Sequence, residues 1–281
     1  MKTASYHFLT KLMFMCLALS GGHKLSAQNT EVLGTLPRAN ETVTTSYLGI
    51  GHKGALDTYL SNAAYGGISI QLTQKQTSAR YREKYFCFHD ISSSISFSSM
   101  ANRLGGGSFM GGEWNEIFTW NHPLVNTRSV DILFGPSAVS SIGFLYNQRN
   151  SNNPAQFKCL LSAAVSGKAI YRFNVLRRHM ALSTDITLPL LGITFAPDFD
   201  EPYYFLAEYS GLGSAFRVAS PFNAPAAFSD LTLTIPAGRR NRLSLTYEAN
   251  YMGYNINGHR SAIANHAALV GFTRRLELKN D

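Results

Sequence analysis

The sequence predicts an all-β fold, a closed antiparallel up-and-down transmembrane β-barrel of about 12 strands. Three observations carry this. Leu243, Leu245, Tyr247, Ala249 and Tyr251 interleave with Ser244, Thr246, Glu248 and Asn250, a two-residue period that gives a strand one apolar and one polar face. The chain opens on an export signal: Lys2 and Lys11 around a short apolar core from Leu12 to Leu19, then Ser26-Ala27 as a cleavage point before Gln28. Finally, no later run can cross a bilayer as a helix; the stretch from Ile186 to Phe195 is broken by Pro189 and Gly192. Spanning strands must then close on themselves, because open sheet edges go unsatisfied in hydrocarbon.

The domain order that follows is a signal peptide over 1–27, a polar lead-in over 28–41 and a barrel over 42–281. Val43 to Gly51 opens the sheet, and Ile68, Ile70 and Leu72 alternate with Ser69, Gln71 and Thr73. Ile91, Ile95 and Phe97 oppose Ser92, Ser94, Ser96 and Ser98, small hydroxyls suited to a narrow lumen. Met110 to Asn121 carries Trp114, Phe118 and Trp120 on one face, but Glu116 shares it, which calls for a bulge or a position outside the lipid band. Val130 to Phe134 and Ser140 to Tyr146 form a pair joined at Gly135-Pro136. Phe157 to Val165 turns at Ser166-Gly167-Lys168 into a partner carrying Tyr171, Phe173 and Val175. Leu182 to Leu188, Leu231 to Ile235, the strand at 243–251 and a last strand from Ile263 to Leu278 complete the count. The segment from Pro189 to Ser229 is long for a connection and is expected to hold its own hairpin around Tyr203 to Ala219.

Charge narrows the function classes. The net charge is +8, and removing residues 1–27 takes away three lysines and no acids, leaving +5. Without a clustered basic stripe or a recognisable module, no nucleic-acid partner is expected. Asp90, Lys158, Arg172, Asp185 and Glu248 fall on polar faces, where opposite charges would pair across a narrow lumen. Trp114, Trp120, Tyr146, Tyr171, Tyr247 and Tyr251 read as girdle anchors at the lipid interface. Cys87 and Cys159 sit on apolar faces, where a disulfide and two free thiols are both open. No cofactor is expected.

Two constellations could carry chemistry. His259 and Ser261 share a strand face, so the imidazole could take the serine proton, with Asn265 available to orient it. Asp198, Asp200 and Glu201 cluster in the long connection as hard oxygen ligands of the kind calcium takes, but without a glycine-turned loop of regular spacing a solvated acidic tip is the favoured reading. Asn147 to Pro154 reads as an asparagine-rich turn, and Gly105-Gly106-Gly107 as a loop between strands.

Two resemblances extend this reading. His259-Arg260-Ser261 is similar to the His-x-Ser of the outer-membrane phospholipase family, a twelve-stranded barrel with a Ser-His-Asn site on its lipid-facing wall. The family's asparagine falls at Thr273 here, and the motif begins the last strand instead of lying mid-chain. Across nearly the whole chain, Leu56 to Ser61, Tyr146 to Pro154, Pro202 to Phe205 and Ser220 to Pro225 resemble an uncharacterised family of exported Gram-negative proteins, known as a domain of unknown function. That resemblance implies an exported barrel-like architecture and no chemistry. The reading is therefore a non-enzymatic outer-membrane barrel, contacting outer-membrane lipids and the barrel assembly machinery, with a role in surface structure, binding or small-solute passage. The alternatives are a phospholipase-like lipid hydrolase and a soluble secreted barrel with its apolar face turned inward around a lipid-like ligand.

Overall fold

The computed structural model describes residues 36–37, 41–82, 85–102, 105, 107–149, 154–175, 178–198, 202–237 and 241–277. Expectations for the signal at 1–27, for Asp200 and Glu201, and for Asn150 to Asn153 lie outside these residues.

Among the described residues eleven strands form one antiparallel sheet: β1 (Glu41–Asp57), β2 (Ser61–Arg82), β3 (Tyr85–Ala101), β4 (Ser108–Asn126), β5 (Val130–Asn147), β6 (Ala155–Val175), β7 (Arg178–Phe195), β8 (Phe216–Ala219), β9 (Ala226–Pro236), β10 (Arg242–Ile256) and β11 (His259–Glu277). Each of β1 to β7 pairs with the next, β7 with β9, and then β10 with β11. The ring closes where β1 meets β11, from Glu41 opposite Glu277 to Asp57 opposite Ser261. Ten strands therefore make the wall, with β8 added on the upper part of β7. From Thr187 to Gly192, β7 advances five residues while its partner chain advances nine, from Phe228 back to Ala219. β8 and β9 thus form one tenth stave interrupted by a four-residue surplus at Ser220 to Pro225. The gap is sealed from the other side, where the Gly253 and Asn255 amides donate to the Pro225 and Asn223 carbonyls.

Ten staves replace the twelve expected, for two identifiable reasons. Gly135-Pro136 and Ser166-Gly167-Lys168 are not turns; both lie inside uninterrupted strands, β5 and β6, paired to each other throughout. A side chain at Gly135 would collide with the Trp120 carbonyl, so the glycine marks close approach of two backbones rather than a reversal. Prolines elsewhere are absorbed at irregularities: register shifts fall at Pro123 to Val125 and beside Pro189. The hairpin expected around Tyr203 to Ala219 is instead a run of short helical turns over 203–215 leading into β8.

The side-chain alternation is as expected for a wall between lipid and lumen. Leu48, Ile50, Ile70, Leu72, Phe97, Phe134, Ile186, Leu245, Val270 and Phe272 point outward and are exposed. Ser69, Gln71, Ser94, Ser96, Thr119, Ser166, Thr232 and Thr246 point inward and are buried. This overturns the soluble alternative, which needs the apolar face inside. All six aromatic residues expected in the girdle are outward and exposed. Glu116 does face outward beside them, yet no bulge displaces it: it pairs in register with Ser93, whose hydroxyl donates to its carboxylate at 2.7 Å.

The two ends differ. Connections at the end holding the start of β1 (the near end) are short, between residues 82 and 85 or 175 and 178. At the far end lie the longer ones, above all 196–215. This asymmetry is the one found in outer-membrane barrels. Part of the 196–215 connection folds back over the outside of β6 and β7. Leu206 and Ala215 bury Cys159 and Phe195 there, with Ile142 and Tyr203 packed alongside. Cys159 and Cys87 are both free thiols, so the disulfide option is not realised.

Replacing Gly135 with valine is expected to cost about 1–3 kcal/mol by forcing two paired strands apart. The measurement is the fraction of protein that keeps a heat-dependent shift in gel mobility after refolding; a turn at this position would leave that fraction unchanged.

Candidate functional site

The lumen is a column of charge pairs. Near its far end, three residues of neighbouring strands lie in one row: Asp57 of β1 opposite Ser261 of β11, and Ser261 opposite Tyr254 of β10. Lys158 reaches them from β6 across the barrel. Its ammonium pairs with Asp57 and donates to the Ser261 hydroxyl at 2.8 Å and the Tyr254 hydroxyl at 3.0 Å. All three ammonium protons are then committed. His259 meets the other Asp57 oxygen through Nε2 at 3.0 Å, while its Nδ1 lies 3.2 Å from the Pro197 carbonyl. The whole cluster is withdrawn from solvent.

Below this level, Lys53 donates to Glu113 at 2.6 Å, Lys75 to Asp230 at 2.5 Å, and Lys168 to Asp90 at 2.9 Å and Asp185 at 3.3 Å. Arg172 pairs with Asp131 nearest the chain ends. Between the pairs runs a cavity of about 150 Å³, lined among others by Lys75, Asp90, Asn115, Asn121, Lys168, Asp185, Asp230 and Glu248. Its lining continues to Thr45, Arg242 and Thr273 at the near end. At the far end Ala55, Leu60, Tyr65, Met100, Phe109, Leu145 and Ile263 pack into an apolar cluster, with Tyr65 stacked on Phe109 at 3.7 Å.

A family model described as Protein of unknown function (DUF3316) matches residues 10–280. The chain belongs to that family. Among solved structures it is similar to the translocator domain of autotransporter NalP from Neisseria meningitidis, at 9% identity and a TM-score of 0.39 over 98% of this chain and 97% of that one. It is also similar to the outer membrane protease OmpT from Escherichia coli, at 10% identity and 0.40 over 88% and 100%. An outer membrane channel from Pseudomonas putida F1 gives 9% identity and 0.38 over 90% and 100%. At such scores the likeness carries no weight about role. No curated protein matches the sequence.

In this DUF3316 barrel the residues singled out by sequence fall as follows. His259 and Ser261 do share a face, but it is the inner one, so the lipid-facing site of the phospholipases is not reproduced. Ser261 is bonded to Lys158 rather than to His259. That ammonium also pairs with Asp57, so in this arrangement the Ser261 hydroxyl is fixed by Lys158 and makes no bond to His259. Asn265 lies two inward rows deeper and orients no imidazole: it accepts from Ser69 at 2.9 Å and donates to Gln71 at 2.9 Å. Asp198 accepts from Arg217 at 3.0 Å and from Asn257 at 2.5 Å, which ties the long connection to the β10–β11 turn. Tyr203 fixes the same connection to β6, accepting from the Phe157 amide and donating to Gln156, both at 2.8 Å. Burial holds its hydroxyl protonated well above the usual phenol range.

The five inward charges expected are all inside. Sequence reading missed the partners Asp57, Asp131 and Lys168, and also the separate pairs Lys53–Glu113 and Lys75–Asp230. Lys53 and Lys75 carried a usable signal, since each continues the polar face of a strand that runs further than its apolar alternation suggests.

Lys158→Met is expected to destabilise the barrel by about 3–5 kcal/mol, because it strands a buried carboxylate. The paired change Asp57→Asn with Lys158→Met should recover much of this, read by denaturant unfolding in detergent. A second outcome concerns pH. The Asn257 bond, aided by Arg217, holds the Asp198 carboxyl below its ordinary value. The tether is therefore intact above the ordinary aspartate range and loosens as pH falls through it, toward about pH 3–4. Amide protection over 202–215, with the intrinsic slowing of exchange in acid divided out, should fall on that acidification, and less so in Asp198→Asn.

Proposed function

We propose that the protein is exported through its 1–27 signal to the outer membrane, where it is inserted by the barrel assembly machinery and surrounded by outer-membrane lipids. There it acts as a non-enzymatic binding barrel: a lumen that holds a small polar solute without conducting steadily. The observation that carries this is the division of the staves into an apolar outward face and a polar inward face crossed by ion pairs, with the far end blocked by the Tyr65–Phe109 cluster. A ten-stranded wall is also well short of the roughly 16 strands of open aqueous channels. The chamber reaches toward the chain ends, which an outer-membrane barrel keeps on the periplasmic side. Solute would accordingly be held from that side.

Membrane fractionation with gel mobility of unboiled protein tests the placement: an outer-membrane band that shifts on heating is expected, and recovery in the soluble fraction would overturn it. Planar-bilayer recording tests the lumen. The wild type should show no stable open level, whereas Phe109→Ala should produce intermittent conductance by opening the far-end cluster.

A further inference from the structure

The chamber carries an imbalance of charge at one level. Lys168 of β6 stands opposite Asp185 of β7, Asp185 opposite Asp230 of β9, and Asp230 opposite Glu248 of β10. Three carboxylates thus occupy three neighbouring staves in one row, an arrangement that repels unless cations intervene. Asp90 adds a fourth on the cavity lining. Two ammonium groups pair with three of the four: Lys75 holds Asp230, and Lys168 is divided between Asp90 and Asp185. Glu248 receives only amide donors, from Gln71 at 2.7 Å and Asn250 at 2.5 Å. Arg242 also lines the cavity, but it lies six residues down β10 from Glu248, about 20 Å of strand.

A second observation, independent of the acids, has the same sign. Asn115 and Asn121 of β4 are 6% and 1% exposed and line this cavity, and their side-chain carbonyl oxygens have no hydrogen-bond partner among the described residues. Their amide nitrogens are already used, toward Glu113 and Asp90. Burying an acceptor without a donor forfeits the hydrogen bond it made to water. The chamber therefore offers surplus negative charge and surplus acceptors, and its complement is a ligand made of donors. The acceptors are spread along it, six residues apart on β4, rather than converging on a point. Among the described residues no three His, Cys, Asp or Glu side chains converge on a metal position.

We propose that the chamber binds a linear aliphatic polyamine, with its ammonium groups set against the Asp185–Asp230–Glu248 row and the Asn115 and Asn121 carbonyls. An ammonium brings three donors and no acceptor, which meets both deficits at once, and an aliphatic spacer lets separate ammonium groups reach separated acceptors. The assignment rests on the reading of the lumen as a binding chamber.

The test is equilibrium dialysis of the detergent-refolded mature chain against spermidine, with 1,4-butanediol and succinate as neutral and anionic controls. Spermidine should bind and both controls should not. Glu248→Gln keeps the shape and removes one charge; it should weaken spermidine binding about tenfold or more while retaining the heat-dependent mobility shift. Asp185→Asn serves the same purpose if the first variant does not refold. Equal binding of spermidine and butanediol, or wild-type affinity in a refolded variant, would overturn the polyamine assignment. So would a heat-shifted wild type that binds no spermidine. Preference for succinate would overturn the sign of the ligand and leave the binding chamber standing, whereas loss of the heat shift in the wild type would remove the barrel reading itself.

Discussion

The pairing of β1 with β11 is the constraint on which everything else hangs. Each backbone amide and carbonyl left open in hydrocarbon costs several kcal/mol, so a lipid-facing wall has no stable form short of closure. Seventeen residue pairs, from Glu41 with Glu277 to Asp57 with Ser261, provide it. Once the ring is shut, alternation leaves no choice: half the side chains face outward and half fill a narrow interior. Even the interruption at Ser220 to Pro225 respects the rule, because the surplus chain hands its carbonyls to β10.

Closure also explains why the interior is a ladder of ions. Polar side chains forced into a lumen this narrow lose water, and each charge must find a partner across the barrel. Lys158 with Asp57, Lys53 with Glu113 and Lys75 with Asp230 join strands that are not neighbours, whereas Arg172 with Asp131 links the adjacent β6 and β5. The first three brace the ring across its width, where the backbone ladder binds only adjacent staves. The level of Asp185, Asp230 and Glu248 departs from this pattern, since carboxylates there outnumber ammonium groups. A departure of that kind points to a site, because fold stability alone would favour balance.

The contrast between the two candidate clusters is instructive. His259 and Ser261 have the residue types of a nucleophile and its base, yet in three dimensions Ser261 is bonded to Lys158 and not to His259. The carboxylate row has no motif at all: its members are separated by 45 and 18 residues in the chain and become neighbours only through β7–β9 and β9–β10 pairing.

What the chain itself settled was local and periodic. Alternation marked the outward faces, the girdle aromatics and five lumen charges, because a strand's two-residue repeat is written directly in side-chain order. Glycine and proline misled at Gly135-Pro136 and Ser166-Gly167-Lys168, where those residues signal a turn in isolation. The paired neighbour strand decided otherwise: in β5 a missing side chain makes room for the Trp120 carbonyl. Stave number, ion partners, the saturated state of Ser261 and the acidic row all belong to the tertiary structure, for they depend on which strands face each other across the lumen, and sequence distance holds no record of that.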